Sequence, residues 1–342
     1  MSCYIVGYGK ALPENVITNS ELAPKLGVTP EWIETNSGIK ERRWVEASQA
    51  TSDLAAQAVS QAIQSAGVST DAIDYLIGGT LSPDYQVPGV APIVQHKLNS
   101  IGNIPAVDLR VGCTTILYSL QLAKGLVESK IANTVACFGA EAQSKGLRLD
   151  PSCRELSMLF GDGAGAVIVS NNLRLSNYTS NPVLELKDLI IATDGAFAED
   201  LSVKAPGTAN GKDWLNDEQM ELGLHYGSMN GRVVIMHAVR KLGDVANEIL
   251  KRNSLSLDQI SLLVPHQANA NLLKSLAKRM SFPEEKIVVN LDRLGNTSSA
   301  SAFLALCQAK EESRFIPGQY VMILAFGAGF TWGAALCQVF VS

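Results

Sequence analysis

Short uninterrupted aliphatic runs alternate along the chain with longer stretches whose apolar residues recur every three or four positions. "AIDYLIGGT", "IPAVDLRVG" and "TVACFGAE" read as buried strands, while "APIVQHKLN" and "TTILYSLQLAKGLVES" read as amphipathic helices. The alternation returns after residue 230. There "GRVVIMHAVRKLGDVANEILKR" predicts a helix, "SLLVPH" a strand and "NANLLKSLAKRM" a helix. Continuous aliphatic strands separated by helices predict an α/β protein with largely parallel sheets. The least periodic stretch, "SNNLRLSNYTSNP" from Ser170 to Pro182, falls at the midpoint. It divides the chain into halves of similar size, 1–172 and 173–342. The halves echo each other faintly. "GCTTILYSLQLAKG" and "GNTSSASAFLALCQA" both set glycine and a polar residue before a small-residue helix. "FGDGAGAVIVS" and "FGAGFTWGAALCQV" are both glycine-rich turns that feed a strand.

Composition narrows the class. At 342 residues and 46% hydrophobic, the chain is long enough for two domain-sized units or one fused core. Its net charge of −5 gives no global attraction to nucleic acid or an anionic membrane. The start, "MSCYIVGYGKALPE", lacks the basic and apolar regions of a secretory signal, and no run nears the ~18 apolar residues that span a bilayer. The six cysteines are scattered without a C-x-x-C pair, which argues against zinc or a disulfide framework and for reduced thiols in a cytoplasmic protein.

Three residues stand where chemistry is plausible. Cys113 follows a strand and Gly112 and precedes a helix, where unpaired N–H groups and the positive end of the dipole favour a thiolate. A buried structural cysteine is the other reading. His266 lies just past an aliphatic strand, where α/β proteins place functional groups. A neutral imidazole there could take a proton from a thiol or donate to a developing oxyanion, or simply be a hydrogen-bonded core histidine. Asn296 sits in "RLGNTSSASAFLAL" as a turn residue or as an amide donor, with Thr297 or Ser298 explained by helix capping. The turns "GDGAG" and "FGAGFTWG" do not fit a dinucleotide or P-loop spacing, but a free N–H from one could complete an oxyanion hole.

Cys113 at a helix start, "VPHQAN", "GNTSSAS" and "FGAGFTWG" together resemble ketosynthase III, the 3-oxoacyl-[acyl-carrier-protein] synthase III family of the thiolase superfamily. The likeness runs from "LPENVITNSEL" through "EWIETNSGIKERRW", "LFGDGAGAVIVS" and "NLDRLGNTSSAS" to the last strand. It implies a thiolase-like duplicated αβαβα five-layer fold and a homodimer. It implies that Cys113 accepts an acyl group from coenzyme A or an acyl-carrier protein. His266 and Asn296 would bind the thioester carbonyl of a malonyl substrate, and the N–H groups of Cys113 and Gly329 would form the oxyanion hole. No cofactor is implied beyond the thioester substrates.

The resemblance also assigns positions around the site. Trp32 and Arg154 match contacts to coenzyme A, Asn36 and Ser37 stand at two further contact positions where the family commonly has Arg and Thr, and Gly231, Ala268 and Asn269 match the lining of the pantetheine path. Lys278 and Arg279 match carrier-protein docking residues; Met236 and Asn271 replace two others that are usually basic. Around the acyl pocket, Val87 stands where the family often has Phe, and Thr114, Thr115 and Ile116 depart from the usual run after the nucleophile. These departures predict a specialised fatty-acid or polyketide member. Two alternatives keep the resemblance: transfer of the acyl group to an alcohol or amine, and a non-catalytic partner subunit in a heterodimer. A papain-like hydrolase shares the order Cys, His, Asn, but "VGCTTI" lacks that family's signature.

Overall fold

A computed structural model describes residues 2–99, 102–172 and 182–340. Nine strands carry the architecture: β1 (Tyr4–Ala11), β2 (Tyr75–Gly79), β3 (Ala106–Leu109), β4 (Thr134–Glu141), β5 (Gly163–Ser170), β6 (Leu184–Thr193), β7 (Ile260–Pro265), β8 (Tyr320–Gly327) and β9 (Thr331–Val339). Six helices pack on them: α1 (Thr51–Ala66), α2 (Val90–Lys97), α3 (Thr115–Glu128), α4 (Gly231–Arg252), α5 (Ala270–Met280) and α6 (Ser301–Glu311). The elements expected from periodicity all form. The aperiodic junction lies mainly at residues 173–181, outside the described residues.

The hydrogen-bonded order is β7-β8-β9-β6-β1-β5-β4-β2-β3. Each wing repeats one plan. A first strand (β1 or β6) pairs antiparallel with the last (β5 or β9), which pairs antiparallel with the one before it (β4 or β8). That strand has a parallel outer neighbour (β2 or β7). The two sets of strands join in the sheet where Tyr4 faces Glu185 and Ile5 faces Leu184. The expectation of largely parallel sheets is therefore corrected. Pairing is parallel only where a helix carries the chain back across the sheet, and the turn after Gly327 makes β8 and β9 an antiparallel hairpin. Periodicity reports burial, and a strand covered on both faces reads the same whichever way it runs; β4 and β5 are buried at every residue.

Three apolar clusters show the layers. One joins α1 and α2 to the outer face of the first wing, through Leu54, Ala58, Ala62, Val90 and Phe138. A second joins α4 and α5 to the second wing, through Leu242, Ile249, Leu276 and Leu324. The third lies between the wings, where Leu117 and Leu120 of α3 meet Phe303 and Leu306 of α6. This is the five-layered αβαβα thiolase fold. The two central helices start from "GCTT" and "GNTSSA", so the sequence echo marks equivalent places in the duplicated halves.

Packing of α1 on β1 is tight enough to exclude side chains. A Cβ on Gly9 would lie 2.0 Å from the Ala58 carbonyl oxygen, and one on Gly7 would lie 2.3 Å from that of Ala62. Gly9→Ala must push the alanine ridge of α1 off the strand. We expect a loss of roughly 1–3 kcal/mol, read as a lower midpoint in urea unfolding. A midpoint equal to wild type would mean that α1 shifts without cost.

Candidate active site

Cys113 sits in a single helical turn, Gly112–Thr114, that leads into α3. Gly112 has φ +52°, a left-handed conformation that glycine adopts without strain. Hydroxyls fix the turn on either side. Thr115 Oγ1 donates to the Gly112 carbonyl at 2.7 Å, and Thr114 Oγ1 meets Thr331 Oγ1 at 2.8 Å. On the other side Gly327 closes down: a Cβ there would lie 2.9 Å from the Cys113 Cβ. The thiol faces a cavity of about 870 Å³ whose wall also includes His266, Asn296, Ser298, Gly327 and Ala328. Burial pushes the Cys113 thiol up to about 12, against a hydrogen bond from Ser298 that favours the thiolate.

His266 follows the end of β7 and is held by its backbone, whose N–H donates to the Leu324 carbonyl at 2.7 Å. Its Nδ1 lies 2.7 Å from Ser301 Oγ. That oxygen also accepts the Gln267 N–H at 2.7 Å. The tautomer in which Ser301 donates to Nδ1 carries its hydrogen on Nε2, the nitrogen left to donate in the cavity wall. Burial lowers the His266 pKa to about 3, so the ring is neutral across the physiological range.

Asn296 is set by the glycine-rich turn. Its N–H donates to the Leu159 carbonyl at 2.8 Å, and its carbonyl accepts the Gly161 N–H at 3.1 Å. A Cβ on Gly161 would lie 2.1 Å from the Leu294 carbonyl oxygen, so "GDGAG" serves close backbone approach rather than phosphate. The side-chain Oδ1 accepts the Ser298 N–H at 2.8 Å. Its NH2 group is left to donate. Thiol, imidazole and amide thus come together from β7 and from the starts of α3 and α6.

Other expected positions divide. Gly231, Ala268 and Asn269 line the same cavity. Asn269 also caps α5 and donates to the Asn36 carbonyl at 2.9 Å, while Asn36 donates to the Trp32 carbonyl at 2.7 Å. The Arg154 guanidinium lies 5.7 Å over the Trp32 ring, so these two meet, outside the cavity wall. Ser37 is fully buried and its hydroxyl donates to the Ile33 carbonyl, so it presents nothing to a ligand. Thr115 and Ile116 are fully buried, and Ile116 belongs to the core between the wings. Neither lines the cavity, which corrects their placement in an acyl pocket. Val87 is 86% exposed, beside Pro83–Gln86, which do line it. Gly329, with φ +130°, is not in the cavity wall; Gly327 and Ala328 are. Arg279 is paired with Asp244 at 2.6 Å, and Lys278 is exposed.

Four residues escape sequence reasoning: Ser298, Ser301, Gly327 and Glu141. The capping expectation for Thr297 or Ser298 is overturned, since neither helical segment there takes a side-chain cap. The signal was the density of hydroxyls in "NTSSAS" beside the asparagine. Glu141 ends β4 fully buried, and burial raises its pKa. It accepts from Ser82 Oγ at 2.6 Å, from the Leu81 N–H at 3.2 Å, and from the Ser299 hydroxyl. No cluster of three or more His, Cys, Asp or Glu among the described residues could hold a metal, and no described helix is long and apolar enough to cross a membrane.

Comparison with known proteins follows the same lines. Residues 107–187 match the family described as 3-oxoacyl-[acyl-carrier-protein (ACP)] synthase III, and residues 250–339 match its C-terminal part. The beta-ketoacyl-[acyl-carrier-protein] synthase III of Oleidesulfovibrio alaskensis is 36% identical over 98% of both chains. That of Nitratidesulfovibrio vulgaris is 38% identical over 97% of both. The crystal structure of 3-oxoacyl-[acyl-carrier-protein] synthase III from Aquifex aeolicus superposes with a TM-score of 0.86 at 32% identity, covering 98% of this chain and 99% of that one.

Proposed function

Because this chain belongs to the 3-oxoacyl-[acyl-carrier-protein] synthase III family and is an acyltransferase, we propose that it condenses a Cys113-bound acyl group with a malonyl thioester. The Cys113 sulfur attacks the carbonyl of an acyl-coenzyme A, or of an acyl-carrier protein. The carbon–sulfur bond to the carrier breaks, and the carrier leaves as a thiol with the proton that the cysteine gave up. A malonyl thioester then binds with its carbonyl oxygen between His266 Nε2–H and the Asn296 amide. Its carboxylate leaves as CO2, and the electron pair becomes an enolate that two neutral donors stabilise without first protonating it. The enolate carbon attacks the acyl-Cys carbonyl. The bond to sulfur breaks, and the 3-oxoacyl thioester leaves. No cofactor enters either step.

One observation carries this reading. One cavity is lined by a thiol at a helix start, an imidazole whose Nδ1 is held by Ser301 and an amide whose oxygen is already taken. The two donors suit an anion that forms during reaction, which favours condensation over simple transfer to an alcohol or amine. The route for the thioester arm runs past Gly231, Ala268 and Asn269, with Trp32 and Arg154 stacked for an adenine. Backbone N–H groups of Cys113 and of the turn from Gly327 to Gly329 are our candidates for the oxyanion hole of acyl transfer. A homodimer accords with β3 at the edge of the sheet and with the exposed side chains of Tyr85 and Val87.

The specialised pathway expected from the residues after Cys113 loses its ground. Thr115 and Ile116 do not reach the cavity, and the relatives above carry the name of the ordinary synthase. We propose the chain-initiating condensation instead. Incubation with a panel of acyl-coenzyme A donors, followed by intact-protein mass measurement, tests it. One short acyl group per chain is expected from the preferred donor. Absence of mass gain with every coenzyme A and carrier-protein donor would remove the proposal.

A further inference from the structure

Ser298 has a backbone that a serine adopts only under constraint, and its side chain lies against the nucleophile. Its φ is +44°, in the left-handed region that costs a non-glycine residue roughly 1–3 kcal/mol. Its Oγ is 3.7 Å from the Cys113 Sγ, and the residue is 1% exposed in the cavity wall. The conformation is held from both neighbours. The Ser298 N–H is spent on Asn296 Oδ1, and the next residue, Ser299, is gripped by the buried Glu141 through its N–H at 3.3 Å and its hydroxyl. Gly139 leaves room for this turn, since a Cβ there would lie 2.0 Å from the Ser299 carbonyl oxygen. Ordinary capping does not account for the arrangement, because no helix end receives the hydroxyl.

We propose that Ser298 is a further catalytic residue, whose hydroxyl donates a hydrogen bond to the Cys113 sulfur when that sulfur carries charge. In the resting thiol either group could donate. A thiolate has no hydrogen, so the serine becomes the donor, in a charge-assisted bond stronger than a neutral one. The need for it is physical. Burial opposes the thiolate, and the Glu141 carboxylate behind the turn opposes it further. The start of α3 and the Ser298 hydroxyl act the other way. The same donor would serve the sulfur twice, as attacking group in acylation and as leaving group in condensation. The geometry also couples the two halves of the site, since one serine orients Asn296 through its N–H and Cys113 through its hydroxyl.

The inference rests on Cys113 as the nucleophile but on no acyl donor, so its test uses neither coenzyme A nor a carrier protein. Alkylation by iodoacetamide, in which the sulfur displaces iodide, is followed against pH by peptide mapping at Cys113, with Cys153 as internal reference. Ser298→Gly keeps a residue at ease with positive φ and removes the whole CH2OH side chain. Ser298→Ala removes the hydroxyl and keeps a side chain. Both should alkylate Cys113 about tenfold or more slowly at neutral pH, with the rate profile moved to higher pH by about one unit and Cys153 unchanged. Wild-type rate and midpoint at Cys113 in the glycine variant would overturn the proposal. If the alanine variant fails to fold, the glycine variant alone decides.

Discussion

Cys113→Ala will gain no acyl mass from any donor that loads the wild type, and turnover will fall by at least ~10⁴-fold. The size follows from the lack of a substitute. Cys3, Cys137, Cys307 and Cys337 are buried, and burial pushes each thiol well up; for Cys3, Cys307 and Cys337 the value is about 12. Only Cys153 shares the cavity wall, from a short turn between Asp150 and Arg154. Cys153→Ser should therefore load normally. If Cys113→Ala still accepts an acyl group at wild-type rate, the nucleophile has been misassigned.

His266→Ala will separate the half-reactions. Acylation should survive within a fewfold, because Ser298 and the start of α3 remain beside the sulfur. Condensation should fall about 10²–10³-fold, the range found when one donor to a developing oxyanion is removed. Single-turnover mass measurements on each half-reaction check this. Equal loss in both would make the imidazole a general base for the thiol instead. The pH behaviour follows from the same burial. A folded pKa of about 3 against an ordinary value near 6.5 means that the unfolded chain takes up the proton first. This imidazole's contribution to stability is complete above pH ~6.5 and is lost as pH falls from there toward 3. Thermal melts of wild type should drop across that window more steeply than those of His266→Gln. Condensation itself should show no inflection near 6.5 from this ring.

The sequence carried much of this. Continuous aliphatic runs and 3.6-residue periods were enough for the elements, because β4, β5, α4 and α5 each keep one pattern along their whole length. The echo between "GCTT" and "GNTS" was legible because duplication places the starts of α3 and α6 at equivalent points. Strand direction was not legible, since a strand covered on both faces looks the same either way. Thr115 and Ile116 were misplaced because proximity to Cys113 in sequence is not proximity to the cavity. The turn of α3 carries them into the core. Glu141 reads as an ordinary strand end in "TVACFGAE". Only the fold shows it buried among hydroxyls and N–H groups. Gly329 and Gly327 are indistinguishable in "FGAGFTWG", and contact with Cys113 singles out Gly327.

The central claim is carbon–carbon bond formation on an acyl-enzyme, and one mixing experiment addresses it. Acyl-loaded wild type, freed of coenzyme A, is mixed with malonyl-carrier protein, and both proteins are weighed while CO2 is collected. The account predicts that the enzyme loses its acyl group as the carrier becomes a 3-oxoacyl thioester, with one CO2 released per acyl group consumed. Transfer of the intact acyl group to an alcohol, an amine or the carrier, with the malonyl group untouched and no CO2, would contradict it.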